Sequence, residues 1–216
     1  MKILCAVRKG SSDVKIELDN GENLYLSYEV FLKSGLRKND EISEDRFSFF
    51  VEENKLHHIK QRAYKLLARR LHSEYELRQK LKQKDYSKHL IDKVIDELLD
   101  KKYLNDAEFA NQYAAENIKN KLWGEKKLTA ELMRRGISKN NIYDVVADKF
   151  PQGNDIDNAD KLAEKKYKQL SYKNFERLKL MQKIIAFLLG KGYDYETAKQ
   201  AAENVVPMDE NKSDWE

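Results

Sequence analysis

Cysteine and proline are scarce in this chain of 216 residues, which has one cysteine and two prolines. A single cysteine, Cys5, excludes an internal disulfide and is typical of a reducing compartment. Two prolines favour a long series of helices, because proline breaks the helix interior. No apolar run approaches the roughly 20 residues that cross a bilayer, and the N-terminus lacks the apolar core of a signal peptide. We therefore expect a soluble, cytoplasmic protein without membrane contact.

The chain also lacks the usual catalytic signatures. It has no glycine-rich phosphate loop, no dinucleotide-binding fingerprint and no H-E-x-x-H zinc motif. His57 and His58 are adjacent, so on a helix they point about 100° apart and form a poor metal pair. Asn105 and Asp106 fit a helix cap better than an acid–base pair. We expect no catalytic residues, no metal and no cofactor.

What the chain does contain is an internal triplication. Residues 73–98 correspond position by position to 124–149 and again to 180–205. Each copy has apolar residues at helical spacing, a short break and a second apolar stripe. One position holds Leu81, Leu132 and Leu188, which we predict to be core residues. A period near 50 residues in a helical pattern indicates stacked units that bury their apolar faces on one another.

The breaks share one physical explanation. They are occupied by residues that adopt the left-handed conformation at low cost, as a helix C-terminus often requires: Asp85, Gly136 and Gly192. Two positions later each copy has a favoured N-cap residue: Ser87, Ser138 and Asp194. A helix therefore ends and another begins within a few residues in every copy.

These patterns predict a mainly α fold: three tandem three-helix repeats that form an elongated curved array, with a small β-containing N-terminal extension. The extension covers 1–59, with short strands near residues 3–7, 14–18 and 24–26, and Phe47–Val51 is either a strand or the start of a helix. The repeats cover 60–101, 104–150 and 157–206. Asp106 is the expected N-cap of the second repeat. An acidic tail, 207–216, is predicted to be disordered.

Positive charge is concentrated in the first two helices of each repeat. Residues 60–84 have nine basic and two acidic side chains, 119–139 have seven and two, and 161–191 have nine and two. Such blocks form solvated helix faces or, together, a basic ridge that faces a polyanion. Trp123 lies among lysines and either stacks on a base, anchors a protein contact or packs between helices. The candidate binding residues are Arg69, Arg70, Arg78, Lys82, Lys84, Trp123, Lys126, Lys127, Arg134, Arg135, Lys173, Arg177, Lys179 and Lys191.

Three of these candidates occupy equivalent positions. Lys84, Arg135 and Lys191 each directly precede the break of their copy. If they meet DNA phosphates or acidic protein, replacing all three by Gln should weaken binding. Because exposed charges contribute little to folding, we expect little loss of stability from this triple change.

Several segments resemble the bacterial RecX family. Residues 67–81 (LARRLHSEYELRQKL) resemble the family's opening motif, and 103–110 (YLNDAEFA) resemble the start of its second repeat. The second-repeat core from Gly124 to Ile137, residues 187–193 and the N-terminal stretch 30–38 are also similar to the family. The chain departs from it at Trp123-Gly124, where many members have Gly followed by Pro. It departs again at Gly190, which is expected to weaken its helix.

The resemblance implies a non-catalytic regulator of the RecA recombinase. Family members lie in the groove of the RecA–DNA filament and generally inhibit its ATPase, strand-exchange and coprotease activities. The implied partners are the RecA filament and, more weakly, single- and double-stranded DNA alone, with the protein acting as a monomer. Two alternatives stay open: a helical-repeat module that binds nucleic acid without a recombinase partner, and a protein-interaction scaffold indifferent to nucleic acid. A preference for RecA–DNA filaments over bare DNA would distinguish the RecA regulator from these two alternatives.

Overall fold

The computed structural model describes residues 1–10, 12–151, 155–173 and 175–207. The chain forms two compact units, one of Met1–Leu104 and a second that begins at Asn105. The predicted acidic tail lies outside the described residues except for Pro207.

The first unit begins with a small antiparallel sheet. The strands are β1 (Ile3–Lys9), β2 (Asp13–Leu18) and β3 (Asn23–Ser27), in the order β1-β2-β3. Val14 pairs with Leu26 and Ile16 with Leu24, so the alternating apolar residues of β2 and β3 lie on one buried face. A short helix, α1 (Tyr28–Ser34), follows and ends at Gly35 with φ 66°. The three predicted strands are confirmed.

The next helix, α2 (Glu44–Leu67), belongs to two cores. Phe50, near its start, packs with the sheet residues, among them Ile16. Ile59 and Ala63, further along, are fully buried in the core of the first repeat. Phe47–Val51 therefore opens this helix, and the helix continues through residues 59 and 60, where the sequence suggested a boundary.

The remaining helices form three tandem three-helix repeats. The first repeat completes α2 with α3 (Glu74–Lys82) and α4 (Lys88–Asp100). The second consists of α5 (Asp106–Lys121), α6 (Glu125–Arg134) and α7 (Lys139–Lys149). The third consists of α8 (Ile156–Leu170), α9 (Arg177–Lys191) and α10 (Tyr195–Val205), with a 3-10 turn, Ser171–Lys173, after α8. The mainly α fold with three such repeats and a small N-terminal sheet is confirmed.

The predicted register is confirmed at the breaks. Asp85, Gly136 and Gly192 have φ values of 55°, 76° and 97°. In the second and third repeats the next residue closes the helix end: Ile137 N–H donates to the Leu132 carbonyl at 3.2 Å, and Tyr193 N–H to the Leu188 carbonyl at 3.2 Å. These bonds satisfy a carbonyl of the last turn, and the apolar residue that makes each bond is buried. The equivalent leucines Leu81, Leu132 and Leu188 have no exposed surface.

The helix starts follow the predicted capping rule with two differences. The Ser138 hydroxyl accepts from Asn141 N–H, and the Asp194 carboxylate from Thr197 N–H, whereas Ser87 has extended backbone but makes no side-chain cap bond. The N-cap of α5 is Asn105, whose side chain accepts from the N–H groups of the second and third helical residues. The prediction of Asp106 was wrong by one residue, because the Asn105 side chain already caps the helix and Asp106 is its first helical residue.

Candidate functional surface

The second and third repeats join through main-chain atoms. Gly124 N–H donates to the Lys191 carbonyl at 2.9 Å, and Lys126 N–H to the Gly192 carbonyl at 3.1 Å. Gly124 is the N-cap of α6 and Gly192 is the C-cap of α9. The free N–H groups at the start of one helix therefore meet the free carbonyls at the end of another, which satisfies both sets.

The same junction has no room for larger residues. A Cβ on Gly124 would lie 2.7 Å from the Gly192 carbonyl carbon, and one on Gly192 would lie 2.3 Å from Lys127 N. Tyr193 is buried beside this contact, and its hydroxyl donates to the Leu122 carbonyl at 3.0 Å. Burial raises the pKa of the Tyr193 phenol, so the hydroxyl stays a donor. The glycine of the Trp123-Gly124 pair is thus required by the approach of two backbones.

The candidate cations of the first repeat divide into paired and exposed groups. Arg70 donates to the Glu76 carboxylate at 2.9 Å and to the Leu71 carbonyl at 2.6 Å. Arg78 binds Glu74 at 2.6 Å and also Asp92, so it ties α3 to α4. The remaining candidates of this repeat have exposed side chains: Arg69, Lys82 and Lys84.

In the second repeat three of the four candidate cations surround one buried carboxylate, and the fourth, Lys126, is exposed. Glu131 is only 8% exposed, and its carboxylate accepts from Arg134 at 2.6 Å and from Arg135 at 2.7 Å, with Lys127 at 3.8 Å. Burial alone would raise the pKa of Glu131, but the hydrogen bonds from Arg135 and Arg134 outweigh it and hold the pKa below its usual value. Glu131 is therefore charged at neutral pH.

Arg135 differs from its repeat equivalents. Its guanidinium donates to both the Glu131 carboxylate and the Glu131 carbonyl, and lies 4.3 Å from the Tyr113 ring centre. Lys84, by contrast, is exposed. Arg135 is therefore not the exposed, unpaired charge that the sequence-based expectation assumed. We now expect its replacement to lower stability, because the buried Glu131 depends on it for charge compensation.

Trp123 packs inside the second repeat and keeps part of its ring accessible. Its ring centre lies 6.2 Å from that of Tyr113 on α5. The ammonium groups of Lys121 and Lys127 lie 4.7 and 5.9 Å from its centre. Trp123 is thus partly buried, with Tyr113 and two lysine ammonium groups near its ring.

The third repeat presents its candidate cations differently. Lys173 and Lys179 are exposed. Arg177 Nε donates to the Pro207 carbonyl at 2.9 Å, and Lys191 Nζ lies 5.5 Å from the Phe187 ring centre. Sequence reasoning missed two neighbours of this group: Tyr172 is 89% exposed and Leu178 is 70% exposed. Both lie inside the third basic block, which was the available signal.

Comparison with known proteins identifies the family. Models of the RecX three-helix domains match the chain in order: the first domain at residues 60–98, the second at 105–145 and the third at 154–202. A regulatory protein RecX from Clostridium perfringens (strain 13 / Type A) is 30% identical over 189 residues, which cover 88% of each chain. The chain belongs to the RecX family.

Other RecX proteins agree in sequence and in fold. A regulatory protein RecX from Listeria welshimeri is 30% identical over 195 residues, 90% of this chain and 71% of the relative. A crystal structure of regulatory protein RecX has a TM-score of 0.71 at 22% identity, over 94% of this chain and 98% of that one. A RecX structure from Lactobacillus salivarius has a TM-score of 0.60 at 22% identity, over 71% and 97%. The Listeria relative and the first of these structures are named regulatory proteins, and the chain is a member of this regulatory family.

Within the ranges that the structure describes, no helix combines the length and apolar character needed to cross a membrane.

Proposed function

We propose that this protein is a non-catalytic, cytoplasmic regulator of the RecA recombinase that binds the RecA–DNA filament. Membership of the RecX family supports the partner. The observation that carries the binding mode is the presence of exposed cations on the first two helices of all three repeats, or directly beside them: Arg69, Lys82 and Lys84; Lys126 and Arg134; Lys173 and Lys179. A filament groove offers DNA phosphates and acidic protein surface together, and both attract such cations.

Binding of this kind regulates without bond-making chemistry. Lysines that neutralise phosphates release condensed counterions, which supplies affinity that falls as salt rises. A protein held in the filament groove blocks the space that incoming DNA and substrate proteins need. Occupation of the groove would therefore reduce strand exchange and coprotease activity. If the bound protein also limits filament growth, fewer RecA subunits are assembled on DNA, and the ATPase rate falls.

The test compares two triple variants with equal charge change. The first replaces one exposed cation in each repeat: Lys84→Gln, Lys126→Gln and Lys179→Gln. The control replaces one exposed lysine on each third helix: Lys88→Gln, Lys139→Gln and Lys199→Gln. Binding to RecA–DNA filaments and to bare DNA is measured by fluorescence anisotropy across a salt series.

We expect the first variant to bind filaments more weakly, with a salt slope lower by about 2 to 3, since each lost phosphate contact removes about 0.7–0.9. The control should keep the affinity and most of the slope. Equal affinity of the unaltered protein for bare DNA and for filaments would instead favour a nucleic-acid-binding module without a recombinase partner. Identical behaviour of the two triple variants would refute the assigned surface.

A further inference from the structure

The third repeat differs from the first two in how its candidate arginine is compensated, whereas, in the part of the chain that the structure describes, exposed lysines without a carboxylate partner occur in all three repeats. Four of the five candidate arginines in the first two repeats are bound to carboxylates: Arg70, Arg78, Arg134 and Arg135. In the third repeat, residues 172–183 contain four cations and one acidic residue. Among the described residues none of those four, Lys173, Arg177, Lys179 and Lys183, forms an ion pair with a carboxylate. Their positive charge is available to a ligand.

Aromatic and apolar side chains are interleaved with these cations. Tyr172 is 89% exposed and Leu178 is 70% exposed, so both large side chains face solvent. Phe175, between them, carries the ammonium groups of Lys179 and Lys183 at 5.7 and 4.9 Å from its ring centre. The 3-10 turn and the first turn of α9 thus display a ring and an aliphatic chain to solvent within a basic surface.

The repeat structure explains why this surface is open. In the second repeat, the connection between the first and second helices is covered by the break of the third: the Leu122 carbonyl accepts from Tyr193, and Gly124 N–H donates to the Lys191 carbonyl. Leu178 is the repeat equivalent of Leu122. Leu122 packs against the third core, whereas Leu178 projects from an extra helical turn, because α9 begins at Arg177 and α6 only at Glu125. Within the described residues no further repeat covers this connection.

We propose that this connection in the third repeat, formed by Tyr172, Lys173, Leu178 and Lys179, is a binding site for single-stranded DNA. The Tyr172 ring stacks on an unpaired base, Leu178 extends the apolar contact, and Lys173 and Lys179 meet the flanking phosphates. A largely exposed ring beside cations without carboxylate partners is the arrangement that binds single strands with little dependence on sequence. Duplex DNA keeps its bases stacked internally and offers the ring no partner. The inference rests on the proposed function for its expectation that DNA is the ligand.

Stacking is tested by photocrosslinking and by affinity, with no recombinase present. The probe is an oligothymidylate with one 5-iododeoxyuridine, which crosslinks to aromatic rings in direct contact. We expect the crosslink to map to Tyr172. Tyr172→Ala should weaken binding about 5- to 150-fold, from the 1–3 kcal/mol typical of one base–aromatic stack. Tyr172→Phe should retain affinity, because it keeps the ring.

Matched controls separate stacking from charge and from folding. Tyr143→Ala removes a ring that is 74% exposed on α7 and should leave the affinity unchanged. Lys173→Gln with Lys179→Gln should lower the salt slope by about 1.4 for a single strand. Circular dichroism should show the fold intact in every variant, since all four side chains are exposed.

Each outcome has a distinct meaning. Unchanged single-strand affinity in Tyr172→Ala, or a crosslink elsewhere, overturns the proposed site. If Tyr172→Ala weakens filament binding but not binding to the free single strand, the surface contacts the recombinase protein, which overturns this inference and leaves the proposed function standing. If the single-strand results are as expected and the unaltered protein shows no preference for filaments, the site stands and the proposed function fails.

Discussion

At Gly192 one added methyl group should cause a large loss in the free energy of unfolding. Its φ of 97° lies outside the range that other residues favour, and a left-handed conformation costs an L-residue about 1–2 kcal/mol. A Cβ there would lie 2.3 Å from Lys127 N and 2.4 Å from Lys127 Cβ, so the backbones must separate. Separation breaks the two main-chain bonds of the junction, at about 0.5–1.5 kcal/mol each. We expect Gly192→Ala to lower the free energy of unfolding by about 2–5 kcal/mol.

The matched control lies two residues earlier, inside α9, whereas Gly192 is the C-cap of that helix. Gly190 has a helical conformation, and nothing lies within 4 Å of the position of its Cβ. Gly190→Ala should therefore stabilise the protein by about 0.5–1 kcal/mol, because alanine loses less backbone entropy on folding. This is the same residue whose presence in the chain was expected to weaken the helix.

Two measurements check the pair. Guanidinium denaturation followed by circular dichroism gives the free energies. Hydrogen exchange then reports the junction itself, since the Gly124 and Lys126 amides should lose protection in Gly192→Ala and keep it in Gly190→Ala. A stability of Gly192→Ala within 0.5 kcal/mol of the unaltered protein, or equal losses in both variants, would refute the assigned contact.

Three further predictions concern the second repeat. Leu132→Ala should cost about 2–5 kcal/mol in denaturation experiments, since the side chain is fully buried; a loss below 1 kcal/mol would contradict the register. Gly136→Val should lower thermal stability by about 1 kcal/mol or more, because φ is 76°, and an unchanged melt would contradict the helix end. Arg135→Gln should cost about 1–3 kcal/mol at pH 7. The Glu131 carboxylate stabilises the fold above its unfolded pKa, and this stabilisation is lost as pH falls through the depressed folded pKa. The difference between the variant and the unaltered protein should therefore shrink in acid, and a constant difference would contradict the pairing.

The repeat register was predictable because it rests on local physics. Helical spacing places Leu81, Leu132 and Leu188 on inner faces, and the breaks need residues that tolerate positive φ. The status of Phe47–Val51 was open, since a short apolar run fits a strand or a helix equally well. Only the long-range packing of Phe50 against the sheet core shows which side of α2 is buried.

The candidate surface was less predictable than the fold. Glu131 lies four residues before Arg135, so their ion pair could be predicted from the sequence. The burial of Glu131 could not be predicted in the same way. The contact of Gly124 with the Lys191 carbonyl links residues far apart in the chain, and no local pattern reports such a contact. Whether a basic side chain pairs with a carboxylate or stays exposed to a ligand also depends on neighbouring helices. The three basic blocks are therefore similar in sequence but differ in structure.

Because helix α2 belongs to two cores, the boundary of the family domain in the sequence differs from the boundary of the folded unit. The first RecX domain, as recognised by sequence, starts at residue 60, but the helix that supplies its buried Ile59 and Ala63 starts at Glu44. A fragment that starts at residue 60 would keep the domain that the family model matches but would lose most of helix α2, against which the other helices of the first repeat pack. The sheet at the N-terminus therefore acts as an anchor for the first repeat, and a transplantable version of that repeat has to begin before Ser43.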